Sequence, residues 1–239
     1  GAHDINQIRA IDTDEFNLYQ KAAKGNIKII TIAPEIPGAI EFIKNVSADI
    51  VVSLGHSGAD FDTCVKAIDN GARLVTHLFS TMPSLHHRKL SLIAAAFEKD
   101  IFVELICDGV HIDPVIIKMA YKIFGPDRVV LITDSMGAAG YLDGDYVLGG
   151  RHVTVSNGEA RTKEGQLAGG TSTLIQCVSN VVSWGIPENL AFKMATYNPS
   201  NVLGIANKKG IIEIGADADL IAIDDAFNVK HVIIGGKVF

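Results

Sequence analysis

The chain has 239 residues, with 21 Lys+Arg against 27 Asp+Glu and a formal net charge of −6, a balance that excludes a general nucleic-acid binder with a basic face. Apolar residues make up 48% and charged residues 20%, enough for a packed core and too little charge for a disordered chain. No apolar run reaches the roughly 18 residues of a membrane helix, and the opening GAHDINQIRA has neither the charged nor the apolar region of a signal peptide. Cys64, Cys107 and Cys177 are odd in number, widely spaced and without a CxxC pair. That fits neither a disulfide framework nor a thiolate zinc site and points to a reducing cytoplasm.

In chain order, the β-branched runs 26–32 (NIKIITI), 49–54 (DIVVSL), 73–78 (RLVTHL), 101–106 (IFVELI) and 128–133 (RVVLIT) read as buried parallel strands. Between them, 37–48, 60–72, 90–98 and 113–124 carry apolar residues at helical spacing. The alternation predicts an α/β chain with right-handed crossovers, either doubly wound or closed into a barrel. Residues 146–166 hold paired GG and NG turn signals and read as an antiparallel hairpin. Segments 170–183 and 188–203 read as helices, with Asn198–Pro199 structural, and the tail from Gly210 as short strands of a small β appendage. The domain reading is therefore 1–209, with the hairpin as an insertion, followed by 210–239.

Polar residues collect at the C-terminal ends of these strands: Glu35, His56, His77, His111 and Asp134. That edge is where α/β folds build sites. Two imidazoles at neighbouring strand ends suit one divalent ion, although His56 reads equally as a cap of the helix near Asp60 and His77 as a satisfied core residue. Asp134 is placed to exchange a proton with water, or to cap the turn that follows. His86, His87 and Arg88 form a basic cluster that suits a phosphate or carboxylate, and alone reads more readily as a solvated turn. The loop with Asp108, Gly109 and His111 either contacts a ligand or satisfies its own backbone. LAGGTS at 167–172 places two glycines before a helix, a weak anion-binding signal beside its ordinary role in a turn.

Taken in order, GHS at 55–57, THLFSTM at 76–82, HHR at 86–88, ELICDGVH at 104–111, LITDSM at 131–136, LAGGTS at 167–172 and the tail GIIEIGADADLIAID resemble the N-acetylglucosamine-6-phosphate deacetylases of the amidohydrolase superfamily. The resemblance implies a (β/α)8 barrel, here incomplete with about its last five βα units, and part of a small β-domain. It implies metal-dependent removal of acetate from N-acetylglucosamine 6-phosphate. His56 and His77 match the metal ligands, for zinc first, with iron, manganese or cobalt sharing the same donor preference, and Asp134 matches the catalytic acid and base. Ala2, His3, Ser80, Thr81, Arg88, Asp108, Gly109, Val110, His111, Leu167, Ala168 and Gly169 match the substrate contacts. His3 corresponds to the residue that polarises the carbonyl, and Arg88 to a phosphate contact that a dimer partner can supply, so a homodimer is implied.

The chain departs from the pattern at Ser80-Thr81, where the family usually has Asn-Ala. It also opens after the segment that carries the first strands and a Leu-Glu-Gly-Pro motif, whose glutamate is a metal ligand. Glu35 does not match that glutamate and reads as a supporting carboxylate. Two alternatives stand beside the deacetylase: a related amidohydrolase acting on another N-acyl sugar or cyclic amide, and a non-catalytic sugar-phosphate-binding fragment.

Overall fold

A computed structural model describes residues 5–239, so Ala2 and His3 lie outside the described residues. A short 3-10 turn, Ile5–Gln7, leads to α1 (Thr13–Ala22), whose first turn is capped by Asp12 Oδ1 accepting the Glu15 N–H at 3.0 Å. Sequence periodicity passes over α1 because it buries one residue, Phe16, and so has no apolar stripe to read.

Five βα units follow: β1 (Ile29–Ile32), α2 (Ala39–Val46), β2 (Val51–Leu54), α3 (Phe61–Asp69), β3 (Ala72–Val75), α4 (Leu92–Glu98), β4 (Phe102–Ile106), α5 (Pro114–Phe124) and β5 (Val129–Ile132). The strands form one parallel sheet in the order β1-β2-β3-β4-β5. Each strand lies beside its predecessor, as the staves of a (β/α) barrel do, and the described residues supply five of them. The expected strands therefore hold in place and type, with ends shifted by at most three residues.

Period-two alternation divides the sheet into two faces. Val52, Leu54, Val75, Val103, Leu105, Val129 and Leu131 point into the main core with the helices. Val51, Leu74 and Val130 lie on the opposite face, in a smaller cluster with Val202. On that second face Thr31, Ser53, Thr76 and Glu104 come two residues after Ile29, Val51, Leu74 and Phe102, so it turns polar toward the C-terminal ends of β1 to β4, while Ile132 keeps it apolar on β5. The Thr76 hydroxyl is hydrogen-bonded to Thr31 Oγ1 at 2.8 Å and to Ser53 Oγ at 2.6 Å. Gly55 sits just above, where a Cβ would come within 2.9 Å of Thr76 Cβ and 3.0 Å of Thr31 Cγ2. Strand packing thus narrows into a polar floor beneath the strand ends.

After β5, the segment expected as one hairpin is a three-stranded antiparallel sheet of β6 (Gly144–Leu148), β7 (Arg151–Ser156) and β8 (Glu159–Thr162). Both turn signals close hairpins, and β7 is shared between them. Val153, Val155 and Ala160 pack on Met136, Ala138 and Ala168, which ties this sheet to the segment after β5. Helix α6 (Leu174–Ser183) begins later than expected, at a capping box of Thr173 and Gln176. The single helix expected over 188–203 is two, α7 (Glu188–Ala195) and α8 (Tyr197–Val202). Pro199 has no N–H to donate to the Ala195 carbonyl, so the helix breaks between them. The tail forms an antiparallel sheet of β9 (Leu220–Ile223), β10 (Val229–Ile234) and β11 (Lys237–Val238). Among the described residues no helix is long and apolar enough to cross a membrane.

All three cysteines are buried. Burial pushes the Cys64 thiol up to about 12 and the Cys177 thiol up to about 11, and holds Cys107 well above its ordinary value. The folded chain is expected to show essentially no reaction with a thiol-exchange reagent at pH 8 and full reaction in guanidinium. A rapidly reacting thiol in the folded chain would contradict this packing.

Candidate active site

His56, His77 and Asp134 stand just past the ends of β2, β3 and β5, and all three are left-handed, with φ of 50°, 32° and 49°. For residues with a Cβ this costs about 1–3 kcal/mol each and persists only where the surroundings enforce it. Each turn has its own restraint. Glu35 holds the turn after His56: its Oε2 accepts the Ser57 hydroxyl and its Oε1 the Gly58 N–H, both at 2.7 Å. Glu104 Oε2 accepts the His77 N–H at 3.3 Å, and the Glu104 carbonyl accepts the Leu78 N–H at 2.8 Å. The Asp134 carbonyl accepts the Gly170 N–H at 2.7 Å, and the Gly170 carbonyl accepts the Met136 N–H at 2.9 Å. No side chain fits at 170, since a Cβ there would lie 2.1 Å from the Thr133 carbonyl oxygen. The glycine pair of LAGGTS is thus explained by close approach to the strand end that carries Asp134.

The two histidine rings meet above the polar floor, with Nε2 to Nε2 at 2.9 Å and ring centroids 4.7 Å apart. Two imidazole nitrogens at about 2.0–2.1 Å from one ion lie about 2.9 Å apart at a right angle and about 3.3 Å apart at the tetrahedral angle, so the pair is within a few tenths of an ångström of fitting one divalent metal. His77 is 4% exposed, and its buried Nδ1 has no partner among the described residues. No group of three or more His, Cys, Asp or Glu among the described residues converges on one ion. Imidazole nitrogens close to carboxylates are a donor type that suits zinc-like ions. Burial lifts the Glu104 carboxyl to about 7. The hydrogen bond from His77 opposes that rise and the neighbouring Asp134 charge adds to it.

A cavity of about 780 Å³ opens over these residues. It is lined by His56, His77, Asp134, Ser80, Thr81, His111, Leu167 and Gly169 from the sequence reading. Lining residues not anticipated are Gln7, Ile8, Phe79, Ser135 and Met136, with Leu148, Gly149 and Gln166 from the antiparallel insertion. Alternation alone does not announce them, because an insertion that folds back over a site carries no local signal of what it covers. Asp108, Gly109, Val110 and Ala168 stand outside the lining, and Ala168 is buried. Asp108 reaches the site through His111, whose Nδ1 lies 2.7 Å from Asp108 Oδ2. His86, His87 and Arg88 form an exposed turn away from the cavity, with the two histidine rings stacked at 4.7 Å.

A parallel-strand barrel edge bearing paired histidines and an aspartate defines the amidohydrolases, and the chain belongs to that family: the sequence profile of the Amidohydrolase family matches residues 1–239. Within it, the chain is similar to N-acetylglucosamine-6-phosphate deacetylases. It is 36% identical to the one from Bacillus subtilis and 34% identical to the one from Vibrio furnissii, over 100% of this chain and 61% and 60% of those proteins. The crystal structure of N-acetylglucosamine-6-phosphate deacetylase from Pasteurella multocida superposes with a TM-score of 0.94 at 34% identity, over 100% of this chain and 63% of that one. The chain thus spans about three fifths of the length of the relatives it matches.

Gly170→Ala is expected to cost about 3 kcal/mol or more by overpacking against Thr133, read as a lower urea midpoint. An unchanged midpoint would show that the turn at Asp134 is not held there. Burial alone would raise the Asp108 carboxyl. Hydrogen bonds from the His111 ring and from the His111 and Val110 N–H groups outweigh burial and hold it below the usual range. A depressed carboxyl stabilises the fold above its unfolded value, about 3.9, and loses that contribution as pH falls through the folded value. Between pH 6 and pH 3 Asp108→Asn should therefore lose less stability than the wild type. Equal losses would contradict the pairing.

Proposed function

We propose that this chain carries much of the active site of an N-acetylglucosamine-6-phosphate deacetylase, which hydrolyses the sugar N-acetyl group to glucosamine 6-phosphate and acetate. The observation that carries the proposal is the 2.9 Å approach of the His56 and His77 Nε2 atoms in the same cavity as Asp134, in a chain whose relatives are named for that reaction.

His56 and His77 would hold a divalent ion, zinc first and iron, manganese or cobalt as other candidates, together with a donor beyond the described residues. When bound, such an ion polarises a carbonyl oxygen and lowers the pKa of water. Asp134 takes a proton from the attacking water and hands it to the leaving amine nitrogen. Ser80, Thr81, His111, Leu167 and Gly169 line the room left for the sugar phosphate, and Leu148 and Gly149 of the antiparallel insertion border it. His3, with Ala2, is assigned to the acetyl carbonyl. Arg88, exposed and outside this cavity, supports a homodimer in which it reaches the phosphate in the other copy's site. A reducing cytoplasm agrees with three buried free thiols.

Two donors without a third among the described residues favour a second reading, sugar-phosphate binding without turnover. Acetate release from N-acetylglucosamine 6-phosphate with added Zn²⁺ separates them. Turnover that falls about 10³-fold or more in Asp134→Asn, with little turnover of the unphosphorylated sugar, is the expected result. Saturable binding with no acetate supports the second reading, and neither binding nor release overturns both.

A further inference from the structure

Asp108 spends its two oxygens on different tasks. Oδ1 accepts the Val110 N–H at 2.8 Å and the His111 N–H at 2.9 Å, as an aspartate closing its own turn does. Oδ2 plays no part in that turn and lies 2.7 Å from His111 Nδ1. Both side chains are almost fully buried, 5% exposed for Asp108 and 7% for His111, a degree of burial that a loop satisfying only its own backbone does not need.

The loop is also held from behind. Asn180 of α6 donates to the Cys107 carbonyl at 3.0 Å. Gly109 is left-handed at φ 80°, and a Cβ there would sit 3.4 Å from the Trp184 ring. An ionised carboxylate only accepts, so the ring nitrogen facing Asp108 must carry the proton. Asp108 is not a cavity-lining residue and His111 is. With Nδ1 turned toward Asp108, the ring edge left to the cavity bears Nε2.

The geometry points to Asp108 as a positioning residue that keeps the ring proton of His111 on Nδ1 and so presents the Nε2 lone pair to the cavity, as an acceptor for a sugar hydroxyl. The ligand half of this inference rests on the deacetylase reading, whereas the tautomer half rests on the loop alone. In Asp108→Asn, the amide oxygen still accepts the Val110 and His111 N–H groups, so the turn keeps its closure. The amide NH₂ then faces Nδ1 as a donor, which moves the ring proton to Nε2 and removes the acceptor from the cavity.

The test is ¹⁵N NMR of the histidine ring nitrogens in the intact chain, with His111→Gln assigning the signals. The wild type is expected in the Nδ1–H form and Asp108→Asn in the Nε2–H form. Glucosamine 6-phosphate, which has no amide left to cleave, should shift the wild-type Nε2 signal and bind Asp108→Asn about tenfold more weakly, the loss of one hydrogen bond. A wild-type ring protonated on Nε2, or an Asp108→Asn ring with the wild-type tautomer, overturns the inference. Inverted tautomers with no response to glucosamine 6-phosphate uphold the positioning role and overturn the sugar-phosphate reading instead.

Discussion

A residue that follows the last paired position of a parallel strand must leave the ladder sharply if its side chain is to stay over the sheet's end. In this chain that constraint is met three times by left-handed residues that are not glycine, His56, His77 and Asp134. Left alone, each would relax. Glu35 and Glu104, which belong to neighbouring strands or the turns beyond them, bind the two histidine turns, and Gly170 binds the aspartate turn. The two carboxylates lie on or just beyond the strands next to β2 and β3, and the parallel order of the sheet makes those strands adjacent, whereas Gly170 comes from the segment before α6.

The same arrangement grades polarity along the sheet. One face is apolar near the start of the strands, at Val51, Leu74 and Phe102, and hydroxylated or acidic two residues on, at Ser53, Thr76 and Glu104. Burying an acid in a strand is costly unless it is paired or neutral, and Glu104 shows both responses. It accepts from His77, and burial lifts its carboxyl to about 7. Stability and chemistry are thus set by one pattern, a packed base beneath a hydrogen-bonded rim.

Much of this was legible in the sequence because period-two and period-3.6 patterns are local. The five strands, the four helices between them, α6 after them, and the polar residues at strand ends follow from such patterns. What was not legible depended on distance. Glu35 reads as a supporting carboxylate, but its bond to Ser57 spans 22 residues and has no sequence spacing to betray it. Glu104 offered one overlooked signal, an acid in the middle of the apolar run IFVELI. The glycines of LAGGTS read as a turn, whereas the tight approach of Gly170 to Thr133 is a tertiary fact. The lining contributed by Leu148, Gly149 and Gln166 needed the fold of the insertion, and α1 lacked the apolar stripe that would have marked it.

The convergence of two imidazoles on one ion is the claim on which the chemistry stands, and zinc titration by competition with a chromophoric chelator addresses it without any enzyme assay. His56→Ala and His77→Ala should each abolish the same binding event, and the double variant should lose no more than either single one, the non-additivity of ligands sharing one ion. Zinc affinities that fall by independent, additive amounts, or that do not change, would contradict the account.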